Sequence, residues 1–152
     1  MTALDTSVIV RYLVGDDAAQ AAAARALMDR TTPDDPGFIC REVAIEVAWV
    51  LERSYRLTRA RVAAALMDLT ASDSLVVEDS DDVAAAAYRY GQGGPGFSDL
   101  MILSAAERAG AAPLCTFDGR LAQTAGAALV EHTTRDASPR RTPTIKAGAR
   151  QS

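Results

Sequence analysis

The sequence predicts an α/β fold in which a short, mainly parallel sheet of about five strands lies between two layers of helices. Short apolar runs of strand length alternate along the chain with longer segments of helical periodicity, and this order favours parallel strands covered by helices on both faces. The 152 residues suffice for one domain with an ordinary core. Hydrophobic residues make up 49% of them and charged residues 24%, as in a soluble globular protein.

In the first half of the chain, turn residues and apolar spacing locate the elements. A strand at residues 2–4 is followed by a short helix at 6–13 and by an alanine-rich helix at 16–30, since alanine has the highest helix propensity. The TTPDDPG loop leads to a strand at 38–39. The next helix, 41–54, repeats Val43, Val47, Val50 and Leu51 at helical spacing. Another begins after Thr58, an N-cap candidate, and ends near residue 70.

The second half continues the same alternation. A strand at 75–77 precedes a helix that Ser80, with Asp81 and Asp82, is predicted to cap and that reaches residue 90. GQGGPG is predicted to be a flexible connector, because it lacks the Gly-Lys-Ser/Thr ending of a phosphate loop. A helix at 97–109 ends at Gly110. A strand at 114–116, a short helix at 118–123 and a strand at 127–130 complete a domain predicted to span residues 1–131.

The net charge of −4 is divided unevenly. Residues 132–152 hold five basic groups and one acidic group and are predicted to form a flexible tail, whereas the first 131 residues hold 11 basic and 19 acidic groups, a net −8. An acidic body is unusual for a nucleic-acid binder unless its acids surround a cation or lie on a distant face. Without a basic leader or an apolar run near the ~20 residues that cross a bilayer, we expect a cytoplasmic protein.

Four carboxylates lie in or beside apolar stretches, where an unpaired charge is costly. They occur in LDTSVIV, EVAWVL, FSDLMIL and TFDGRLA and are Asp5, Glu46, Asp99 and Asp118. Asp5 and Asp118 follow predicted strands, and in open α/β sheets the functional crevice lies outside the carboxyl ends of the strands. Glu46 and Asp99 lie near helix starts that can face the same crevice. Taken singly, each acid has an equally good interpretation as a cap or first-turn residue.

Gathered together, these acids would favour a divalent cation, because clustered carboxylates repel one another without one. Oxygen ligands with no nearby His or Cys select Mg²⁺ or Mn²⁺ over zinc. Such an ion can activate water and stabilise charge on a phosphodiester during in-line attack. The only histidine is His132, so a two-histidine, metal-free ribonuclease mechanism is excluded by count. The sequence thus predicts a metal-dependent phosphodiesterase.

The motifs LDTSVIVRYL, EVAWVLERSY, FSDLMIL and TFDGRL resemble, in this order, those of the PIN-domain nucleases, and among these the toxins of VapBC-type toxin–antitoxin pairs. The resemblance covers about residues 2–130. It implies a PIN-like three-layer fold and an Mg²⁺- or Mn²⁺-dependent endoribonuclease acting on tRNA or other structured RNA. By this resemblance Asp5 and Asp99 bind the metal, and Glu46 and Asp118 complete the acidic catalytic site. A cognate antitoxin and a homodimer are the implied partners.

The sequence leaves two roles open for several neighbouring residues. Ser7 and Thr116 carry hydroxyls close to Asp5 and Asp118, where they either orient a carboxylate or only cap a turn. Glu42 shares a helical face with Glu46 and is the second choice for the ligand on that helix. Three arginines near the crevice either contact phosphate or pair with acids: Arg11, Arg41 and Arg120. Trp49 and Val50 with Tyr12–Leu13 either form an exposed apolar groove for the antitoxin or pack in the core.

Other functions fit less well. A signalling receiver domain resembles this pattern but needs a lysine after the last strands, and the sole lysine is Lys146 in the tail. A haloacid-dehalogenase-like phosphatase would need a second aspartate at position 7, where Ser7 stands. A stand-alone PIN-fold nuclease and a catalytically silent RNA- or protein-binding PIN module remain as alternatives to the toxin.

Overall fold

The computed structural model describes residues 1–131, which form an α/β domain. Five short strands cover Thr2–Ala3 (β1), Gly37–Ile39 (β2), Leu75–Val77 (β3), Leu114–Thr116 (β4) and Ala127–Leu129 (β5). Six α-helices cover Thr6–Val14 (α1), Ala18–Met28 (α2), Arg41–Arg53 (α3), Arg59–Ala71 (α4), Ser80–Gly91 (α5) and Phe97–Arg108 (α6). A 3₁₀ helix covers Leu121–Gln123. The α/β/α fold class predicted from the sequence is confirmed, and the predicted tail at 132–152 lies outside the described residues.

All strand pairs are parallel, but the described strands form two hydrogen-bonded groups rather than one sheet. One group has the order β1-β2-β3 and the other pairs β4 with β5. The strand β1 has only two residues and is exposed. The amides of Thr2 and Leu4 donate to the carbonyl oxygens of Pro36 and Phe38, and no ladder joins the two groups of strands among residues 1–131.

The core fills the space between the strands and the helices. It is built around large side chains that are less than 2% exposed, among them Ile9, Ile39, Leu51, Leu66 and Tyr90. The buried face of α3 consists of Ala44, Val47, Ala48 and Leu51. The predicted face also contained Val43 and Val50, but these two residues are only partly buried. Every helix in residues 1–131 is too short or too polar to span a bilayer.

Three predicted helix starts are wrong. The helix α2 begins at Ala18 rather than at residue 16, because Asp17 caps it through the amide of Gln20. Ser80 is the first residue of α5 rather than its cap, and the capping position belongs to Asp79, whose φ of +51° places it in the left-handed region. The Asp79 carboxylate does not cap the helix, because it pairs instead with Arg41 and Arg108. Of the predicted helix at 118–123, only Leu121–Gln123 is helical, as the 3₁₀ helix. The Asp118 carboxylate accepts from the amides of Arg120 and Leu121 and so forms a separate turn before it.

Candidate functional site

Asp5 lies where β1 ends and α1 begins, as predicted. It caps α1, since its carboxylate accepts hydrogen bonds from the Ser7 hydroxyl at 2.9 Å and, more weakly, from the Ser7 amide at 3.4 Å. These bonds, the hydroxyl first, hold the pKa of Asp5 below its ordinary value. Asp5 is therefore an exposed carboxylate that stays ionised at neutral pH.

Glu46 lies beside Asp5 in a pocket between α1 and α3 of about 330 Å³, called here the α1–α3 pocket. The hydroxyl of Thr6, a residue only 7% exposed, donates to Glu46 Oε2 at 2.9 Å. This bond ties the start of α1 to the second turn of α3. Glu42, the other candidate on α3, is exposed in the first turn of the helix. The geometry therefore favours Glu46 over Glu42, and Thr6 is a supporting residue that the sequence did not single out.

Asp99 and Asp118 line a second cavity, the α3–α6 cleft, which has a volume of about 280 Å³. Asp99 lies half-buried in the first turn of α6. Asp118 follows β4 as predicted, and its Oδ1 accepts from the amides of Arg120 at 2.8 Å and Leu121 at 3.2 Å. The Thr116 hydroxyl accepts from the Asp118 amide at 3.0 Å, so Thr116 fixes the backbone of the turn and does not hold the carboxylate.

An arginine on α4 fixes the loop that delivers Asp99 to this cleft. Arg59 Nη1 donates to the carbonyl oxygens of Tyr90, at 3.2 Å, and Pro95, at 3.1 Å. Its guanidinium carbon lies 4.6 Å from the centroid of the Tyr90 ring. The Tyr90 hydroxyl in turn donates to Glu52 on α3 at 2.7 Å. The GQGGPG segment, predicted as a flexible connector, is therefore anchored immediately before α6.

The four predicted acids line two cavities rather than one. Asp5 and Glu46 line the α1–α3 pocket, Asp99 and Asp118 line the α3–α6 cleft, and α3 borders both. In the part of the chain that the structure describes, no three Asp, Glu, His or Cys side chains converge on one point that could hold a metal ion. The pairs still suit Mg²⁺, which binds through one or two carboxylates together with water and substrate phosphate.

The exposure of the four acids corrects the argument from their apolar surroundings in the sequence, which predicted costly, unpaired charges. Asp5, Glu46 and Asp118 are exposed and Asp99 is half-buried, so none carries the cost of a buried, unpaired charge. The apolar residues next to Asp5, Glu46 and Asp99, which are Leu4, Val47 and Leu100, are buried, whereas Phe117 beside Asp118 is itself 67% exposed.

The three candidate arginines divide by environment. Arg41 has a structural role, because its side chain is only 15% exposed and forms ion pairs with Asp79 and Asp82. Arg11 lines the α1–α3 pocket and donates to Asp16 and Tyr55, whereas Arg120 lines the α3–α6 cleft. Arg11 and Arg120 thus lie beside the acidic pairs, and Arg41 does not.

The sequence left two uses open for Trp49, Val50 and Tyr12–Leu13, an exposed apolar groove or the core. Core packing is wrong for Trp49, and these residues line three different cavities rather than one groove. Trp49 is 60% exposed and lines the α3–α6 cleft. Tyr12 and Leu13 line a separate pocket with residues of α2, α4 and β3. Trp49 is therefore a feature of the cleft that holds Asp99, not part of a surface shared with Tyr12.

Comparison with known proteins agrees with this geometry at the level of the family. The sequence model of the PIN domain matches residues 2–127, which include all four acidic motifs. PIN domains are generally nucleases and typically use divalent metal ions. No curated protein and no solved structure matches the chain. With the match covering most of its length, the chain belongs to the PIN domain family.

Proposed function

We propose that this protein is an Mg²⁺- or Mn²⁺-dependent endoribonuclease. The observation that carries the proposal is the arrangement of Asp5 with Glu46 and of Asp99 with Asp118 in two cavities that share α3, within a PIN domain. All four groups offer carboxylate oxygens, which are the ligands of hard divalent cations. Asp5 and Asp99 are assigned to metal binding, and Glu46 and Asp118 complete the acidic site.

The chain's own residues prepare this site in specific ways. Ser7 and Thr6 donate hydroxyl hydrogen bonds to the carboxylates of Asp5 and Glu46, which fixes the direction in which their other lone pairs point. The turn at Asp118 is rigid because its carboxylate binds two amides. A bound ion would supply neutralisation of the scissile phosphate and activation of the attacking water.

The biological role proposed is that of a toxin neutralised by a cognate antitoxin, with tRNA or another structured RNA as target and a homodimer as the assembly. This role rests on the likeness of the four motifs to those of VapBC toxins. The competing proposals are a stand-alone PIN nuclease and a catalytically silent binding module. Expression of the wild-type chain should arrest growth. A small neighbouring gene for a DNA-binding protein with a hydrophobic tail should be present, and its co-expression should relieve the arrest. Normal growth alongside RNA cleavage in vitro would favour the stand-alone nuclease.

The enzymatic part is tested with purified protein and a pool of structured RNA. Cleavage should require added Mg²⁺ or Mn²⁺ and should be abolished by Asp5→Asn and by Asp99→Asn. Asp34→Asn is the matched control, because Asp34 is an exposed acid in the loop before β2, at the opposite ends of the strands from the acidic pairs. Cleavage unaffected by the first two substitutions, or equally reduced by all three, would contradict the assigned site.

A further inference from the structure

Trp49 presents an indole ring to solvent in the α3–α6 cleft. The residue is 60% exposed although it lies in the middle of α3, whose inward face is completed by Ala44, Val47, Ala48 and Leu51. The core therefore does not need this side chain. A large aromatic ring left open inside a polar cavity is characteristic of a contact surface, since such residues are usually buried in folded chains.

Two guanidinium groups flank this ring in the same cleft. Arg53 follows Trp49 by one helical turn on α3, and Arg120 lies across the cleft in the turn after β4. Within residues 1–131 neither side chain enters an ion pair. By contrast, Arg59 and Glu52, which also line the cleft, already form hydrogen bonds with Tyr90.

The charges left available in the cleft thus fall into two sets. The arginines Arg53 and Arg120 attract phosphate, and the carboxylates Asp99 and Asp118 repel it unless a cation intervenes. An aromatic face beside cationic side chains is the combination by which proteins hold single-stranded nucleic acid, because bases stack on the ring while the cations follow the backbone.

We propose that the α3–α6 cleft binds an unpaired nucleotide of the RNA substrate, with its base stacked on Trp49 and its flanking phosphates at Arg53 and Arg120. This inference rests on the proposed nuclease function and names the residues of this chain that hold the substrate beside Asp99 and Asp118. A base inside an A-form duplex cannot offer its face to Trp49, because both of its faces are covered by neighbouring bases. Stacking is tolerant of base identity, so the cleft selects strandedness rather than sequence.

Trp49 is the only tryptophan of the chain, so its intrinsic fluorescence reports directly on this site. The experiment titrates the full-length Asp5→Asn variant in Mg²⁺, so that the cation offsets Asp99 and Asp118 while cleavage is prevented. The ligands are a mixed-sequence RNA octamer and the same octamer annealed to its complement. The single strand should quench the fluorescence in a saturable manner, and the duplex should quench it weakly. A DNA octamer should behave like the RNA strand, because neither stacking nor phosphate contact involves the 2′-hydroxyl.

Variants separate stacking from charge, with binding measured by anisotropy of a labelled octamer. Trp49→Ala should weaken binding by about 5- to 150-fold, the range expected for losing one stacked base, and Trp49→Phe should restore most of the affinity. Tyr88→Ala should have no effect, since Tyr88 is a comparably exposed aromatic residue on α5. In cleavage assays with Mg²⁺, Trp49→Ala should raise KM and leave kcat nearly unchanged.

The arginines are tested through the salt dependence of binding. Each phosphate contact on a single strand contributes about −0.7 to the slope of log K against log salt concentration. Arg53→Ala and Arg120→Ala should each reduce the steepness of that slope by about this amount. Arg30→Ala, which removes an exposed arginine just after α2, should leave the slope unchanged. Equal losses in all three variants would mean only a general effect of charge and would overturn the assignment of the two arginines.

The outcomes distinguish this inference from the function on which it rests. Metal-dependent RNA cleavage with an unchanged KM in Trp49→Ala and no quenching would overturn the nucleotide site while leaving the nuclease proposal in place. Quenching by single strands without any cleavage in Mg²⁺ or Mn²⁺ would support the site and contradict the nuclease. Fluorescence that responds to protein concentration but not to RNA would show that a second copy of the chain covers Trp49, and would overturn the inference.

Discussion

Replacing Arg59 with alanine would remove the anchor that joins α4, α5 and the loop before α6. The arginine donates to two carbonyl oxygens, those of Tyr90 and Pro95, and lies over the Tyr90 ring. A hydrogen bond from a charged donor contributes about 1.5–3 kcal/mol, and a cation–π contact at a partly exposed site about 0.5–1 kcal/mol. Because Arg59 is only half-buried and water can replace part of its contacts, we expect a loss of about 2–4 kcal/mol in the free energy of unfolding.

The loss should be measured by urea denaturation and by thermal melting. For a chain of this size, 1 kcal/mol corresponds to about 2–4 °C, so Tm should fall by about 4–16 °C. Arg59→Lys should recover part of the loss, since an ammonium group keeps the charge but cannot reach both carbonyls in the same way. Below the melting transition, amide exchange should accelerate in residues 91–98, and kcat should fall because Asp99 is held by that loop.

Arg61→Ala is the matched control. Arg61 lies two residues further along α4, is exposed, and contributes only its backbone amide to the Thr58 cap. Its replacement should change Tm by no more than about 2 °C, as for an ordinary surface substitution. Equal melting temperatures for Arg59→Ala and Arg61→Ala would refute the anchoring role, and so would a large loss of stability without faster exchange in the loop.

Three further contrasts test other parts of the structure. Arg41→Ala should destabilise the fold by about 2–4 kcal/mol in urea titrations, because it removes the less exposed of the two arginines that pair with Asp79 and Asp82, and with it a donor to the Met101 carbonyl, whereas Arg108→Ala, with a side chain 47% exposed, should cost less than about 1 kcal/mol. Gly37→Ala should destabilise by about 1–3 kcal/mol, since a Cβ would lie 2.7 Å from a leucine methyl carbon, but Gly119→Ala has open space and should be neutral in the same titration. The pKa of Asp16 is lowered, chiefly by a tyrosine hydroxyl, so its ionised form adds stability that is present above its ordinary pKa of 3.8 and is lost as the pH falls through the lower folded value. The deficit of Asp16→Asn should accordingly be seen at pH 7 and shrink as the pH falls below 3.8. A deficit of equal size at pH 7 and at the lowest pH that leaves the protein folded would contradict this assignment.

Much of the fold was predictable because its determinants are local. Strands β3 and β4 begin and end where the apolar runs predicted, and Thr58 caps α4 through the amide of Arg61. Asp5 and Asp118 follow their strands, which required only the order of elements along the chain. Local patterns sufficed for these features because each depends on residues no more than a few positions apart.

The arrangement of the site was not predictable in the same way. Thr6 and Glu46 are 40 residues apart, and Arg59 reaches Pro95 across 36 residues, so neither contact leaves a local pattern. The division of the acids into two pairs depends on how α3 packs between α1 and α6, which hydrophobic spacing does not determine. Trp49 was placed on α3 by the sequence, but its exposure follows from smaller neighbours, Ala44 and Ala48, filling the buried face.

The measurement that tests the central claim most directly is the rate of RNA cleavage by Asp99→Asn and Asp5→Asn relative to the wild-type chain, with Mn²⁺ or Mg²⁺ in excess and with EDTA. Both variants keep the size of the side chain and remove its charge. We expect wild-type cleavage to require the metal and each variant to lose more than about 100-fold, beyond the ~10–100-fold typical of removing a residue that only supports a metal ligand. Cleavage that persists in EDTA, or variants within about tenfold of the wild-type rate while folded, would contradict the metal-dependent acidic site.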